Sequence, residues 1–277
     1  TELDKSFFNY PLGNYMMIRI FEASALPYHP NALRFRAITE EEGIFEETYY
    51  SIGGGFITHG TEKEGELHFN DLPYPVESGN DLIEHTENTG LNISDIVWKN
   101  ELYMRSATEV KTGILRIYNT MLDCVYKGCH SEGILPGGLN VKKRAKALND
   151  KLLEGQRFKD RHNWLLAIQS MPSNFSYINN WISCFALAVN EENASLGRVV
   201  TSPTNGAAGV IPAVLLYYSC FCDFKGEEDV IKFILTSGEI GCIFKKRATI
   251  SAAVGGCQAE IGVSSAMAAG ALTERLG

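Results

Sequence analysis

The pattern of apolar and polar residues divides the chain into a strand-rich beginning and a helical remainder. Short apolar or alternating runs, rich in β-branched and aromatic residues, occupy residues 15–22, 33–38 and 44–50. Such runs are typical of strands. Prolines separate the first run from the second, and an acidic turn joins the second to the third. We therefore predict an antiparallel meander that belongs to a small α/β domain over residues 1–61.

From about residue 93 onwards, apolar residues recur at helical spacing. The predicted helices cover residues 110–127, 177–190, 207–222, 227–245 and 266–276. The predicted fold class is therefore α+β, in which the mainly antiparallel first domain precedes a mostly α-helical domain over residues 93–277.

The stretch between these two regions is acidic and is interrupted by proline and glycine. Residues 62–90 hold eight acidic residues and one lysine. Chain segments of this composition bury little apolar surface. We therefore predict an exposed linker over residues 62–92.

One long stretch without charge raises the question of a membrane span. Residues 199–222 contain no Asp, Glu, Lys or Arg, but they include Pro203, Asn205 and Pro212. The continuous apolar part is about 12–16 residues, whereas a spanning helix needs roughly 20. We predict a buried core helix here and no membrane interaction.

Charge and cysteine content narrow the classes of function. The chain has 25 Lys and Arg against 33 Asp and Glu, a formal net charge of −8, and no basic run that would bind a phosphate backbone. Nucleic acid is therefore not an expected partner. Seven scattered cysteines favour a reducing compartment, so we expect a cytoplasmic protein. No signal peptide is recognised at the start, and both ends lead us to expect a piece of a longer protein.

Glycines cluster at three places, and the first directly follows the third predicted strand. The segment Ser51-Ile-Gly-Gly-Gly-Phe56 has three successive glycines. Such glycines allow positive φ and let backbone N–H groups approach a ligand closely. A flexible turn before the linker is the alternative interpretation.

The second cluster lies at the expected start of the charge-free helix, in Thr204-Asn-Gly-Ala-Ala-Gly209. Thr204 or Asn205 is expected to cap this helix, whose N–H groups and positive dipole end would favour a carboxylate. An ordinary capped helix is the alternative.

The third cluster surrounds Cys257, which follows two glycines in a run dominated by Gly and Ala. This setting gives a thiolate the open geometry that a metal ligand or nucleophile needs. A single cysteine is more often a small buried hydrophobe. We predict core packing for the remaining cysteines, Cys124, Cys129, Cys184, Cys220, Cys222 and Cys242.

Two weaker features are a basic triplet and an acidic pair. Lys142-Lys-Arg144 could meet an anionic substrate, and Glu191 and Glu192 could do acid–base work. A solvated helix start and a solvent-facing helix end are the interpretations that we favour.

Several of these segments, in this order along the chain, resemble the iron–sulfur-dependent bacterial L-serine dehydratases. The resemblance is carried by Tyr49-Tyr-Ser-Ile-Gly-Gly-Gly-Phe56, Ser131-Glu-Gly-Ile-Leu-Pro-Gly-Gly-Leu139, Phe185-Ala-Leu-Ala-Val-Asn-Glu-Glu-Asn-Ala194, Gly197-Arg-Val-Val-Thr-Ser-Pro-Thr-Asn-Gly-Ala207 and Ala248-Thr-Ile-Ser-Ala-Ala-Val-Gly-Gly-Cys-Gln-Ala-Glu-Ile-Gly262. It extends over nearly the whole chain and is weakest in the predicted linker.

The resemblance implies an α/β domain joined to a helical catalytic domain that binds a 4Fe–4S cluster through three cysteines. One iron stays open as a Lewis acid, and water is eliminated from L-serine to give pyruvate and ammonia. Carried over by motif, Cys257 is the first cluster ligand. The residues implied to bind L-serine are Ser51, Gly53, Gly54, Gly55, Thr204, Asn205 and Gly206. No residue is assigned as the general base, and pyridoxal phosphate is not expected.

The chain also departs from the family pattern. The motifs L-T-C-D-P and P-C-I-E-R-N, which hold the other two cluster cysteines in the family, do not occur in these 277 residues. We therefore expect the catalytic domain to be incomplete at its C-terminus and inactive by itself. The alternatives left open are a non-catalytic amino-acid-binding or interaction module of the same fold, and a lyase for another β-substituted amino acid. The apolar excess of the helices is compatible with a homodimer.

Overall fold

A computed structural model of the chain describes residues 7–8, 16–17, 26, 28, 31–39, 43–53, 56–59, 72–171 and 174–277. The chain forms two compact units, Thr1–Leu67 and His68–Gly277.

The first unit contains antiparallel strands. β1 (Phe7–Phe8) pairs with β2 (Met16–Met17), and a three-stranded sheet has the order β3 (Ala32–Thr39), β4 (Gly43–Gly53) and β5 (Phe56–His59). The pairs β3–β4 and β4–β5 are both antiparallel, which confirms the predicted pairing of residues 33–38 with residues 44–50. β5 was not predicted, and β2 belongs to the other sheet rather than to this meander. Of the strand predicted over residues 15–22, only residues 16–17 lie within the described part of the chain.

The regular elements in the described residues of the second unit are α-helices joined by loops. The α-helices are α1 (Gly79–Thr89), α2 (Ile93–Met104), α3 (Ala107–His130), α4 (Ala145–Leu152), α5 (Arg161–Ser170), α6 (Phe175–Ala194), α7 (Val210–Phe221), α8 (Glu227–Arg247) and α9 (Ala252–Leu276). The helices predicted from periodicity correspond to α3, α6, α7, α8 and the end of α9. The α+β class is confirmed.

The segment predicted to be an exposed linker over residues 62–92 contains a helix, α1, which the sequence analysis did not predict. Ser78 and Asp81 form a capping box. The Asp81 carboxylate accepts a hydrogen bond from the backbone N–H of Ser78, and the Ser78 side chain accepts from the backbone N–H of Asp81. Leu82 anchors the helix by its burial, and Gly90 ends it with a positive φ of 68°. The helix was not predicted because the acidic segment has no apolar stripe at helical spacing. Local hydrogen bonds at its first turn determine where it begins.

The largest core lies among α3, α4, α5, α6 and α7, and aromatic side chains dominate it. Trp164 and Trp181 are fully buried, and the Trp181 ring stacks on Phe185 with the ring centroids 5.2 Å apart. The indole N–H of Trp164 donates to Asn149 Oδ1 at 2.8 Å, which satisfies a polar group that burial would otherwise leave unpaired. This core fixes the position of α6, which leads into the second glycine cluster.

Small residues bring pairs of helices into close contact. A Cβ placed at Gly128 of α3 would lie 2.7 Å from the Ala188 carbonyl carbon of α6. Gly241 of α8 packs in the same way against the Met267 side chain of α9, where a Cβ would lie 2.9 Å from Cε. The glycines at these crossings let the helix backbones approach more closely than any larger residue would allow.

Among the described helices, none is long and apolar enough to cross a membrane. Residues 210–221 of the charge-free stretch form α7, and most of that helix is buried between neighbouring helices. The prediction of a buried core helix is confirmed.

Candidate functional site

The second glycine cluster forms a turn between α6 and α7. The Thr201 hydroxyl donates to Asn205 Oδ1 at 2.7 Å, and Val210 N–H donates to the Ala207 carbonyl. Helix α7 begins at Val210 after Gly209, with no side-chain cap, so the predicted cap by Thr204 or Asn205 is wrong. The Asn205 side chain is occupied inside the turn, and the helix starts only after the second glycine.

The third glycine cluster interrupts α9 in front of Cys257. Gly256 has φ 72° and ψ 172°, which are not helical values, and the helix resumes beyond it. Only glycine adopts this combination at low cost. Cys257 is the first residue after the interruption, and its side chain is exposed. The open setting predicted for this thiol is therefore what the structure has, rather than the core packing of an ordinary single cysteine.

Contacts between α9 and the 202–209 turn bring the second and third clusters together. Ser264 Oγ donates to the Ser202 carbonyl at 2.9 Å and lies 3.3 Å from the Ala207 carbonyl oxygen. One turn earlier on α9, the carboxylate of Glu260 packs against Gly206, where a Cβ would lie 2.9 Å from Oε2. Because Cys257 and Glu260 are three residues apart on a helix, they share one side of it.

The site combines exposed groups with buried polar ones. Asn205 and Gly206 are exposed, whereas Thr204 is 4% exposed and Glu260 is 7% exposed. Within the described part of the chain, Thr204 Oγ1 has no hydrogen-bond partner. Sequence reasoning missed Glu260. The signal for it is a carboxylate one helical turn after Cys257 in a run of otherwise small and apolar residues.

The other cysteines are separate from this site. Cys124, Cys129 and Cys184 are buried as predicted, and burial raises the pKa of the Cys124 thiol to about 11. Cys220 and Cys222 are half-buried. Cys242 is exposed, so the prediction of core packing is wrong for that residue, which lies on the outer side of α8.

The donor set does not complete a cluster site. In residues 72–171 and 174–277 and the described strands, no three His, Cys, Asp or Glu side chains are grouped as metal ligands would be. Cys257 is thus a single thiolate donor, and the described residues cannot by themselves hold a 4Fe–4S cluster.

The acidic pair and the basic triplet meet each other. Glu192 is buried between Lys127 at 2.6 Å and Lys143 at 3.3 Å, and Glu191 accepts hydrogen bonds from the backbone N–H groups of Arg144 and Ala145. The expectation that both acids face water is therefore wrong. These contacts hold the start of α4 against α6.

The first glycine cluster lies in the first unit. Ser51 of β4 is exposed and pairs with Ile57 of β5, and its N–H donates to the Asn31 carbonyl at 3.0 Å. Gly53 ends β4 opposite Phe56, where the pairing register shifts. Gly54 and Gly55 lie outside the described residues, so the role of this loop in substrate binding stays a prediction.

Comparisons with known proteins agree with the motifs. The serine dehydratase alpha chain family matches residues 88–277, and the serine dehydratase beta chain family matches residues 10–62. The chain is 42% identical to L-serine dehydratase TdcG of Escherichia coli, with 93% of this chain and 54% of that protein aligned.

Two further relatives have a similar extent of alignment. The L-serine dehydratase of Streptomyces coelicolor is 42% identical over 91% of this chain and 53% of its own length, and that of Haemophilus influenzae is 38% identical over 93% and 54%. The chain therefore spans about half the length of the curated relatives that it matches.

Proposed function

We propose that this protein eliminates water from L-serine to give pyruvate and ammonia, because the chain belongs to the serine dehydratase family and carries its beta-chain and alpha-chain regions in that order. The observation that supports the proposal best is the contact between the 202–209 turn and α9. This contact places the Thr204–Gly206 segment beside the helix that presents Cys257.

The reaction is an α,β-elimination. The Cα proton goes to a base, and the Cα–H electron pair forms the Cα–Cβ double bond. The β-hydroxyl leaves with the Cβ–O electron pair and takes up a proton to become water. The resulting aminoacrylate takes up a proton at Cβ, and water then hydrolyses the imine to pyruvate and ammonia. In this proposal the Thr204–Gly206 turn binds the substrate carboxylate, because Asn205 and Gly206 are exposed and the buried Thr204 hydroxyl beside them is a donor without a partner in the described part of the chain.

The enzyme that we propose is of the iron–sulfur type. Thiolates suit iron–sulfur clusters, and Cys257 is an exposed thiol at the point where α9 resumes. Its fellow ligands would be supplied by other parts of the complete protein. We further propose a cytoplasmic enzyme, active as a homodimer, that acts on the free amino acid.

The experiment that tests the activity uses the protein expressed without oxygen from its complete reading frame. We expect L-serine to be converted to pyruvate, with less turnover of L-threonine and L-cysteine. Faster turnover of either of those would favour a lyase for another β-substituted amino acid. Each relative named above is an L-serine dehydratase, which does not favour a non-catalytic module. A protein that contains the cluster but leaves serine unchanged would contradict the proposal.

Replacement of Gly206 with alanine should weaken serine binding without unfolding the protein. The added methyl would contact Glu260 Oε2, the end of a flexible side chain, so the carboxylate would move rather than the backbone. Misplacing a site group by about 1 Å can cost up to about 100-fold, and we expect KM for L-serine to rise at least tenfold. The free energy of unfolding should change by less than about 0.5 kcal/mol.

The control for this variant is Gly262→Ala, which adds a methyl two residues beyond Glu260 where no atom lies within 4 Å. Steady-state kinetics and urea denaturation of both variants provide the comparison. Equal KM values for the two variants would show that the space above Gly206 is not part of the substrate site.

A further inference from the structure

Glu260 differs from the other buried acidic residues of the second unit. Glu191 accepts from two backbone N–H groups, Glu192 pairs with two lysines, and Asp229 accepts from the Tyr218 hydroxyl and pairs with Arg275. Among the residues that the structure describes, Glu260 has no hydrogen bond and no ion pair. It is nevertheless 93% buried, since its exposed fraction is 7%.

A buried carboxylate without a partner is energetically costly. Removal of an ionised group from water costs several kcal/mol in practice, and native proteins offset this cost with a cation or with hydrogen-bond donors. No described residue provides such a partner for Glu260, so its carboxylate is available to a ligand that brings positive charge or N–H donors.

A second buried group without a partner lies in the turn against which Glu260 packs. Thr204 Oγ1 is buried and lacks a partner in the described part of the chain, and Thr204 is two residues from Gly206, which contacts the Glu260 carboxylate. Gly206 has no Cβ to fill the space over that carboxylate, and its backbone is exposed. An acceptor, a hydroxyl and an opening to solvent are thus found around one glycine.

We propose that Glu260 binds the α-ammonium group of the amino-acid substrate, while the Thr204 hydroxyl donates to the substrate carboxylate. An L-amino acid is a zwitterion whose two charged groups are attached to one carbon, so its site must offer an anion and donors close together. Glu260 supplies the anion and Thr204 the donor. This inference rests on the proposed function and makes Glu260 the residue that selects for a free α-amino group.

The test measures binding of two ligands to the complete protein. L-Serine carries the ammonium group, and L-glycerate carries a hydroxyl in its place. Hydrogen bonds to charged groups contribute about 1.5–3 kcal/mol, so Glu260→Gln should weaken L-serine binding roughly 10- to 100-fold. L-Glycerate binding should stay within about twofold. The control is Glu87→Gln, which removes an equal charge from an exposed position on α1 and should change neither affinity.

The outcomes separate this inference from the proposed function. If the wild-type protein neither binds nor dehydrates L-serine, both are overturned. If the wild-type protein binds and dehydrates L-serine and the Glu260→Gln variant binds L-serine equally well, the inference alone fails. A large decrease in kcat of that variant with unchanged binding would instead identify Glu260 as the base. Equal weakening of both ligands together with a lower Tm would show a merely structural role and would also overturn the inference.

Discussion

Replacing Gly128 with alanine should lower the free energy of unfolding of the second unit by about 3 kcal/mol, the upper end of the usual cost of overpacking. The methyl would lie 2.7 Å from the Ala188 carbonyl carbon and closer still to its oxygen. Both atoms belong to the backbone of α6, so no side-chain rotation can relieve the clash. Helices α3 and α6 would have to separate, and the aromatic core between them would lose contacts.

A matched control exists in the same helix. Gly113 has no atom within 4 Å of the position that a Cβ would take, so Gly113→Ala should be neutral or should stabilise by up to about 1 kcal/mol through helix propensity. Urea denaturation followed by the helical circular dichroism signal measures both changes. If the two variants had equal stabilities, α3 and α6 would not cross as closely as described.

The second large effect concerns Cys257. Under the iron–sulfur function proposed above, Cys257→Ser in the complete protein should abolish iron binding and reduce serine turnover to background, because a neutral hydroxyl replaces a thiolate and thiolates are the usual ligands of iron–sulfur clusters. The measurements are iron and acid-labile sulfide content, the cluster absorption band and pyruvate formation.

Cys242→Ser is the matched control, since Cys242 is also an exposed thiol of the second unit. This variant should keep its iron and its turnover. If Cys257→Ser retained both as well, Cys257 would not be a ligand, although membership of the serine dehydratase family would stand. Loss of iron from both variants would indicate that thiol exposure, rather than the position after Gly256, governs cluster content.

The sequence allowed the regular elements with strong periodicity to be predicted, and it failed where local hydrogen bonds decide the structure. Strands β3 and β4 and helices α3, α6, α7 and α8 follow from apolar spacing, whereas β1 and β5 were not predicted. Helix α1 does not, because its described buried residue is Leu82 alone and its start depends on the Ser78–Asp81 capping box. The start of α7 was misplaced because Asn205 bonds to Thr201 instead of capping the helix.

The site was predicted in part. Motifs identified the Thr204–Gly206 turn and Cys257, since glycines beside polar residues indicate a close approach of the backbone. The turn contacts α9 through Ser202 and Ser264, which are 62 positions apart in the sequence. A local sequence pattern does not predict a contact between residues so far apart. Glu260 was missed for this reason. The role of Glu260 depends on the residues that lie next to it in the folded chain.

The aromatic core also makes the two units distinguishable by spectroscopy. All three tryptophans of the chain, Trp98, Trp164 and Trp181, belong to the second unit, and the last two are fully buried. Indole emission shifts to longer wavelength when water reaches the ring. Fluorescence excited at tryptophan wavelengths therefore reports unfolding of the helical unit alone, whatever the strand-rich unit does. Compared with circular dichroism of the same sample, it separates the melting of one unit from that of the other without any label.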